Sequence, residues 1–169
     1  MIRFRLFLIA LLCFFLTPST AHSQIAVYGG YSAASIHNGG TDWAYGPLVG
    51  AYKQTGYAAN IVSIGADVRA SFLSHNNFHD YTGAIGPRFA FKAPILPFRP
   101  YVEGLVGFGN VQTDGHNSST HFNYQVLGGL DMTIFPRVDW RVVEFDYSAV
   151  PNQSMYAKTL TTGLVIRIW

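Results

Sequence analysis

Lys158-Thr159-Leu160-Thr161-Thr162-Gly163-Leu164-Val165-Ile166-Arg167-Ile168-Trp169 closes the chain. Leu160, Thr162, Leu164, Ile166 and Ile168 share one parity and are mostly bulky and apolar; Thr159, Thr161, Gly163, Val165 and Arg167 share the other and are mostly small or polar. Strand side chains alternate between two faces, so this segment shows one face to something oily and the other to something wet. A strand at the end of a chain must find a partner, because an open edge recruits other chains. Pairing it with the first strand closes a barrel.

The same period-two character recurs back to Gln24. It places eight strands near residues 25–34, 43–52, 57–72, 81–92, 98–110, 121–134, 139–148 and 158–169. Strand three is the sharpest, with Ile64, Ala66, Val68, Ala70 and Phe72 opposite Ser63, Gly65, Asp67, Arg69 and Ser71. Strands one and two are weaker, since Gly and Ala dilute both faces. Pro47 and Pro87 each lack a ladder donor and predict bulges or mispaired positions. Short connections fall at Lys53–Gly56, Ala93–Pro97 and Phe135–Val138, and longer ones at Ser35–Asp42, Leu73–Asp80, Val111–Thr120 and Ala149–Ala157. Short turns at one end and longer loops at the other predict an antiparallel up-and-down barrel of the transmembrane kind.

Residues 1–23 stand apart. Arg3 and Arg5 precede an apolar run from Leu6 to Leu16, and Ala21-His22-Ser23 offers small residues for cleavage before Gln24. This is the pattern of a secretory signal peptide, leaving residues 24–169 as one barrel domain. Cys13 lies in the leader, so the mature chain has no thiol or disulfide chemistry. Of eleven Lys and Arg residues two fall in the leader, and the other nine balance nine Asp and Glu. A neutral chain gives no electrostatic case for nucleic acid as a partner.

Parity alone does not say which face looks inward. A soluble barrel hides its apolar face, and a membrane barrel displays it. The polar face carries acids and bases in balance, among them Asp67, Arg69, Arg88, Glu103, Asp131, Glu144, Asp146 and Arg167. The apolar face ends in aromatics: Tyr31, Trp43, Phe72, Tyr81, Phe108, Phe122 and Tyr147 at the loop end, and Phe98, Phe135, Trp140 and Trp169 at the turn end. Aromatics at both ends of an apolar band predict interfacial girdles. The expected interior is then a network of those eight charged residues. An eight-stranded barrel is just wide enough for side chains to fill it, so the network predicts a plug rather than a wide pore.

Strands four to eight resemble the small outer-membrane barrels of the outer-membrane protein A transmembrane domain and outer-membrane protein X type. The residues that carry the resemblance are Gly86-Pro87-Arg88-Phe89, Arg99-Pro100-Tyr101-Val102-Glu103, Gly128-Gly129-Leu130-Asp131, Arg141 with Glu144-Phe145-Asp146-Tyr147, and Gly163-Leu164-Val165-Ile166-Arg167-Ile168. The resemblance implies a monomer in the outer membrane of a Gram-negative bacterium, among outer-membrane lipid and lipopolysaccharide. It also implies that the barrel-insertion machinery reads the last strand, where Gly163, Ile166, Ile168 and Trp169 form the assembly signal; Trp169 lies one residue past the family's hydrophobic-x-hydrophobic element.

Neither a catalytic constellation nor a cofactor motif is apparent. His37, His75, His79 and His116 fall in connections at one end and form a candidate rim metal site, with Asp80 or Asp114 nearby. Polar loop composition explains the same histidines. His116, Ser118 and Asp114 suggest a lipid-A-modifying enzyme, yet all three lie in a Gly/Ser/Asn-rich stretch with nothing rigid to align them. A soluble periplasmic barrel around an apolar ligand is the other alternative. The expected role is a structural or surface-interaction protein of the outer membrane.

Overall fold

The computed structural model describes residues 23–37, 41–55, 61–75, 78–92, 97–113, 117–151 and 155–168, apart from the side chains of Phe78, 111–113 and 117–119. The leader up to residue 22, His116, Asp114 and Trp169 lie outside the described residues, as does the side chain of Ser118. Eight strands follow in order: β1 (Gln24–His37), β2 (Thr41–Gln54), β3 (Val62–His75), β4 (Phe78–Phe91), β5 (Phe98–Thr113), β6 (Asn117–Phe135), β7 (Val138–Ala149) and β8 (Tyr156–Arg167). Each pairs antiparallel with its neighbour, and β1 pairs with β8, so the sheet is a closed barrel. The closing ladder runs from Ala26↔Arg167 to His37↔Tyr156.

Alternation sets the two faces. Ile64, Val68, Leu164 and Ile166 are about half exposed, whereas Asp67 and Arg69 are buried inside. Around the barrel Val27, Val49, Ile85, Val102, Val126 and Leu160 also stand outward. A water-soluble barrel requires the reverse. Tyr31, Trp43, Phe72, Tyr81, Phe108 and Phe122 are exposed towards one end, and Phe135 and Trp140 towards the other. Rings meet across strands in this outer belt: Phe72 against Tyr81 and Phe108 against Phe122, at 6.0 and 5.8 Å between centroids.

The strands differ from the sequence expectation at both ends. The ladders continue to His37↔Thr41, His75↔Phe78 and Thr113↔Asn117, so most of the three stretches expected as long loops is strand. Beyond an apolar band both faces are wet, so period-two hydropathy vanishes while backbone pairing goes on. At the opposite end β3 begins at Val62 rather than Tyr57, and the link from β2 is longer than Lys53–Gly56. The expected asymmetry of short turns and long loops is therefore not what the strand limits show. Residues 38–40, 76–77, 114–116 and 150–155 link strands at one end, and 55–61, 92–97 and 136–137 at the other.

The prolines interrupt pairing without shifting it. The β2–β3 ladder skips from Tyr45↔Ser74 to Leu48↔Ser71, and the β4–β5 ladder from Ile85↔Val106 to Arg88↔Glu103, both in unchanged register. The register shifts lie instead on β7. Asp131↔Arg141 gives way to Leu130↔Val143 on one side, and Arg141↔Gly163 to Glu144↔Thr161 on the other. Val142 is the extra residue of a β-bulge. A second one-residue shift beside the tight Pro136–Arg137 turn accompanies the positive φ of Arg137, 70°.

Candidate functional site

The bulge explains the interior. Residues three apart on a regular strand face opposite ways. With Val142 inserted between them, Arg141 and Glu144 both point inward and are fully buried, 2.8 Å apart between Nη1 and Oε2. Asp139 turns inward on the same phase as Arg141.

Three guanidinium groups and four carboxylates cross-link at mid-height. Arg69 donates to both Glu144 oxygens (2.8 and 3.2 Å) and to Glu103 (3.0 Å), with Asp67 3.5 Å from its Nε. Arg88 donates to Glu103 and, at 3.0 Å, to Asp131. Arg141 donates to Asp131 (3.1 Å) and Glu144 (2.8 Å). Tyr28 donates to Asp67 at 2.7 Å, and Tyr101 donates to Glu144. Buried charges are tolerated only when paired and hydrogen-bonded, and these are.

The tyrosine rings also cap the cations. Arg88 stacks over Tyr101 and Tyr52, at 3.8 and 4.2 Å to their centroids, and Arg141 over Tyr28 at 4.1 Å. Two glycines make room for this. A Cβ on Gly50 would fall on the Tyr28 ring, and one on Gly129 on the Tyr101 ring; each glycine is the direct cross-strand partner of the tyrosine it carries. Each ring therefore lies flat across the neighbouring strand.

Below the plug, towards the end where β1 begins and β8 finishes, Asp139 receives Arg99 at 3.3 Å and Arg167 at 3.1 Å, and Thr133 donates to it at 2.7 Å. Above the plug lies a vestibule. Ile36, Ala34, Ala44 and Leu73 line its apolar side, and Asp80, Asn123, Gln125, Asp146 and Ser148 its polar side. Among the described residues the interior holds five arginines (69, 88, 99, 141, 167) and seven carboxylates (67, 80, 103, 131, 139, 144, 146). Asp80 and Asp146 are the two acids that no arginine pairs.

Of the residues singled out in the sequence, Asp67, Arg69, Arg88, Glu103, Asp131 and Glu144 meet in the plug, Arg167 joins the lower cluster, and Asp146 stays apart above. Arg141, Asp139, Arg99, Tyr28 and Tyr52 were not among the residues expected there. Ile166 and Ile168 look outward. Gly163 sits on the closing seam, where a Cβ would meet the backbone of Gly29 and Gly30. The rim histidines are directed to other partners: His37 stacks on Tyr156 at 4.8 Å and His79 on Tyr81 at 6.3 Å, while His75 is exposed. Among the described residues no three His, Cys, Asp or Glu side chains come together as metal ligands.

No protein-family model matches the sequence, nor does any curated protein. Solved structures do match in shape. The attachment invasion locus protein Ail of Yersinia pestis superposes with a TM-score of 0.61 at 12% identity, over 86% of this chain and 99% of that one. The chain shares the fold of the small outer-membrane barrels. The N-terminal β-barrel domain of Pseudomonas aeruginosa OprF follows, with a TM-score of 0.51 at 14% identity, over 86% of this chain and all of that one. The outer-membrane enzyme PagL matches with a TM-score of 0.53 at 10% identity, over 83% and 98%. At these identities the likeness is one of architecture.

Proposed function

We propose that this protein is an integral outer-membrane barrel of the structural or surface-interaction type, closed to solute flow. Its apolar belt sits among lipid and lipopolysaccharide, the barrel-insertion machinery places it there as a monomer, and it acts through its rim rather than its lumen. One observation carries the reading: the charged plug. Arg69, Arg88 and Arg141 are tied to one another through Glu103, Asp131 and Glu144. An eight-stranded barrel filled in this way leaves no aqueous channel. The exposed apolar residues with aromatic rings at both ends support residence in a bilayer.

Four measurements test this. The protein should fractionate with outer membranes and migrate faster on gels when unboiled. Reconstituted in planar bilayers, it should give no steady conductance; large stable open levels would overturn the closed-plug reading. Overexpression should leave lipid-A acylation unchanged, and loss of an acyl chain abolished by Ser118→Ala would put the protein with the enzymes instead.

A further inference from the structure

The charge imbalance described above has a location. The two carboxylates without an arginine, Asp80 on β4 and Asp146 on β7, line one cavity of about 30 Å³ in the vestibule. On that volume measure a single water needs ~10–15 Å³, so the space takes one ion with a water beside it. Asp146 is 8% exposed and Gln125 5%, and both line this cavity. Asp146 Oδ1 and Gln125 Oε1 have no hydrogen-bond partner, and neither does Asn123 Oδ1 just above. Buried acceptors are almost always satisfied, so two orphaned oxygens lining one polar space point to a partner that the chain itself does not supply. The rest of the lining is the Ser32, Ser71, Thr82, Ser148 and Thr159 hydroxyls with Leu48, Leu73 and Ala157. Arg69 forms the floor, but its guanidinium is already engaged by Glu144 and Glu103.

Gly109 holds the neighbouring space open. A Cβ there would meet Thr82 Oγ1 at 3.3 Å, Asp80 Oδ1 at 3.7 Å and Asn123 Nδ2 at 3.8 Å. Asp80 Oδ1 and the Asn123 amide nitrogen therefore flank the same point. Two carboxylates, the Gln125 amide carbonyl and hydroxyls suit a hard cation that accepts six to eight oxygens and completes its shell with water. Two surplus negative charges match a divalent ion.

We propose that the vestibule binds one calcium ion, held by Asp146 and Gln125 with Asp80 from β4. The bound ion cancels the interior charge excess and ties β4 to β6 and β7 at the loop end of the barrel.

The test uses the mature protein refolded in lipopolysaccharide-free detergent and stripped with chelator. Calorimetric titration with calcium chloride should show one saturable site per barrel. At a hundredfold excess over Kd the unfolding midpoint should rise by at least about 3 °C. Asp146→Asn, judged folded by its gel shift, should weaken calcium binding at least about tenfold, and Gln125→Glu, which adds a carboxylate, should tighten it by a similar factor. The proposal is overturned if the folded wild type takes up no calcium at millimolar concentration. Equal affinity in wild type, Asp146→Asn and Gln125→Glu overturns it too, as does equal stabilisation by potassium chloride of the same ionic strength.

Discussion

The plug and the vestibule use the same residue types to opposite effect. In the plug each guanidinium touches at least two carboxylates, and tyrosines fill the remaining faces. In the vestibule above it, neither Asp80 nor Asp146 is paired with an arginine. A matched network fixes one arrangement of the strands that bear it; an unmatched one leaves capacity for something else. The lesson is that burial of charge does not by itself reveal a site. The surplus does.

The largest effect should come from the phase of β7, which supplies both regions. Deleting Phe145 leaves no way to keep Arg141, Glu144 and Asp146 all inward, since adjacent strand residues face opposite ways. It should abolish the folded, heat-shifted band. Deleting Val142 removes only the extra residue, leaves Arg141 and Glu144 two apart, and should still yield a barrel. If both deletions fold equally well, the bulge is not what sets the phase.

Within the plug, Glu144→Gln leaves Arg69 and Arg141 short of their shared counter-charge. Breaking a buried pair from one side costs about 3–5 kcal/mol, read as a fall in the urea midpoint of unfolding in detergent. The smallest effect belongs to the vestibule. Asp146→Asn in calcium-free buffer should change stability by no more than about 1 kcal/mol, because no cation of the chain loses its partner. A loss as large as that of Glu144→Gln would erase the distinction between the two regions.

Much of this was legible in the sequence. Strand three keeps strict parity from Ser63 to Phe72, so Asp67 and Arg69 read as interior residues and Ile64 and Val68 as exterior ones, which is where they lie. Arg88 and Glu103 read the same way and are direct cross-strand partners. The bulge hid Arg141 and Asp139: counted from Glu144 and Asp146 they have the wrong parity, and nothing in Arg141-Val142-Val143-Glu144 marks which residue is the extra one. Tyr28 and Tyr52 were hidden because Gly and Ala blur both faces of the first two strands. The long strand ends were hidden because alternation in hydropathy reports a boundary between oil and water, and above the aromatic belt no such boundary exists.

The plug also bears on how the chain reaches its final state. Its members come from β1, β3, β4, β5, β6 and β7, so the network is complete only once nearly every strand is in its place. An unfinished barrel in hydrocarbon would hold bare arginines with no acid opposite them. Bare buried arginines are costly, so the absence of any one of these strands leaves charges on the others unmatched.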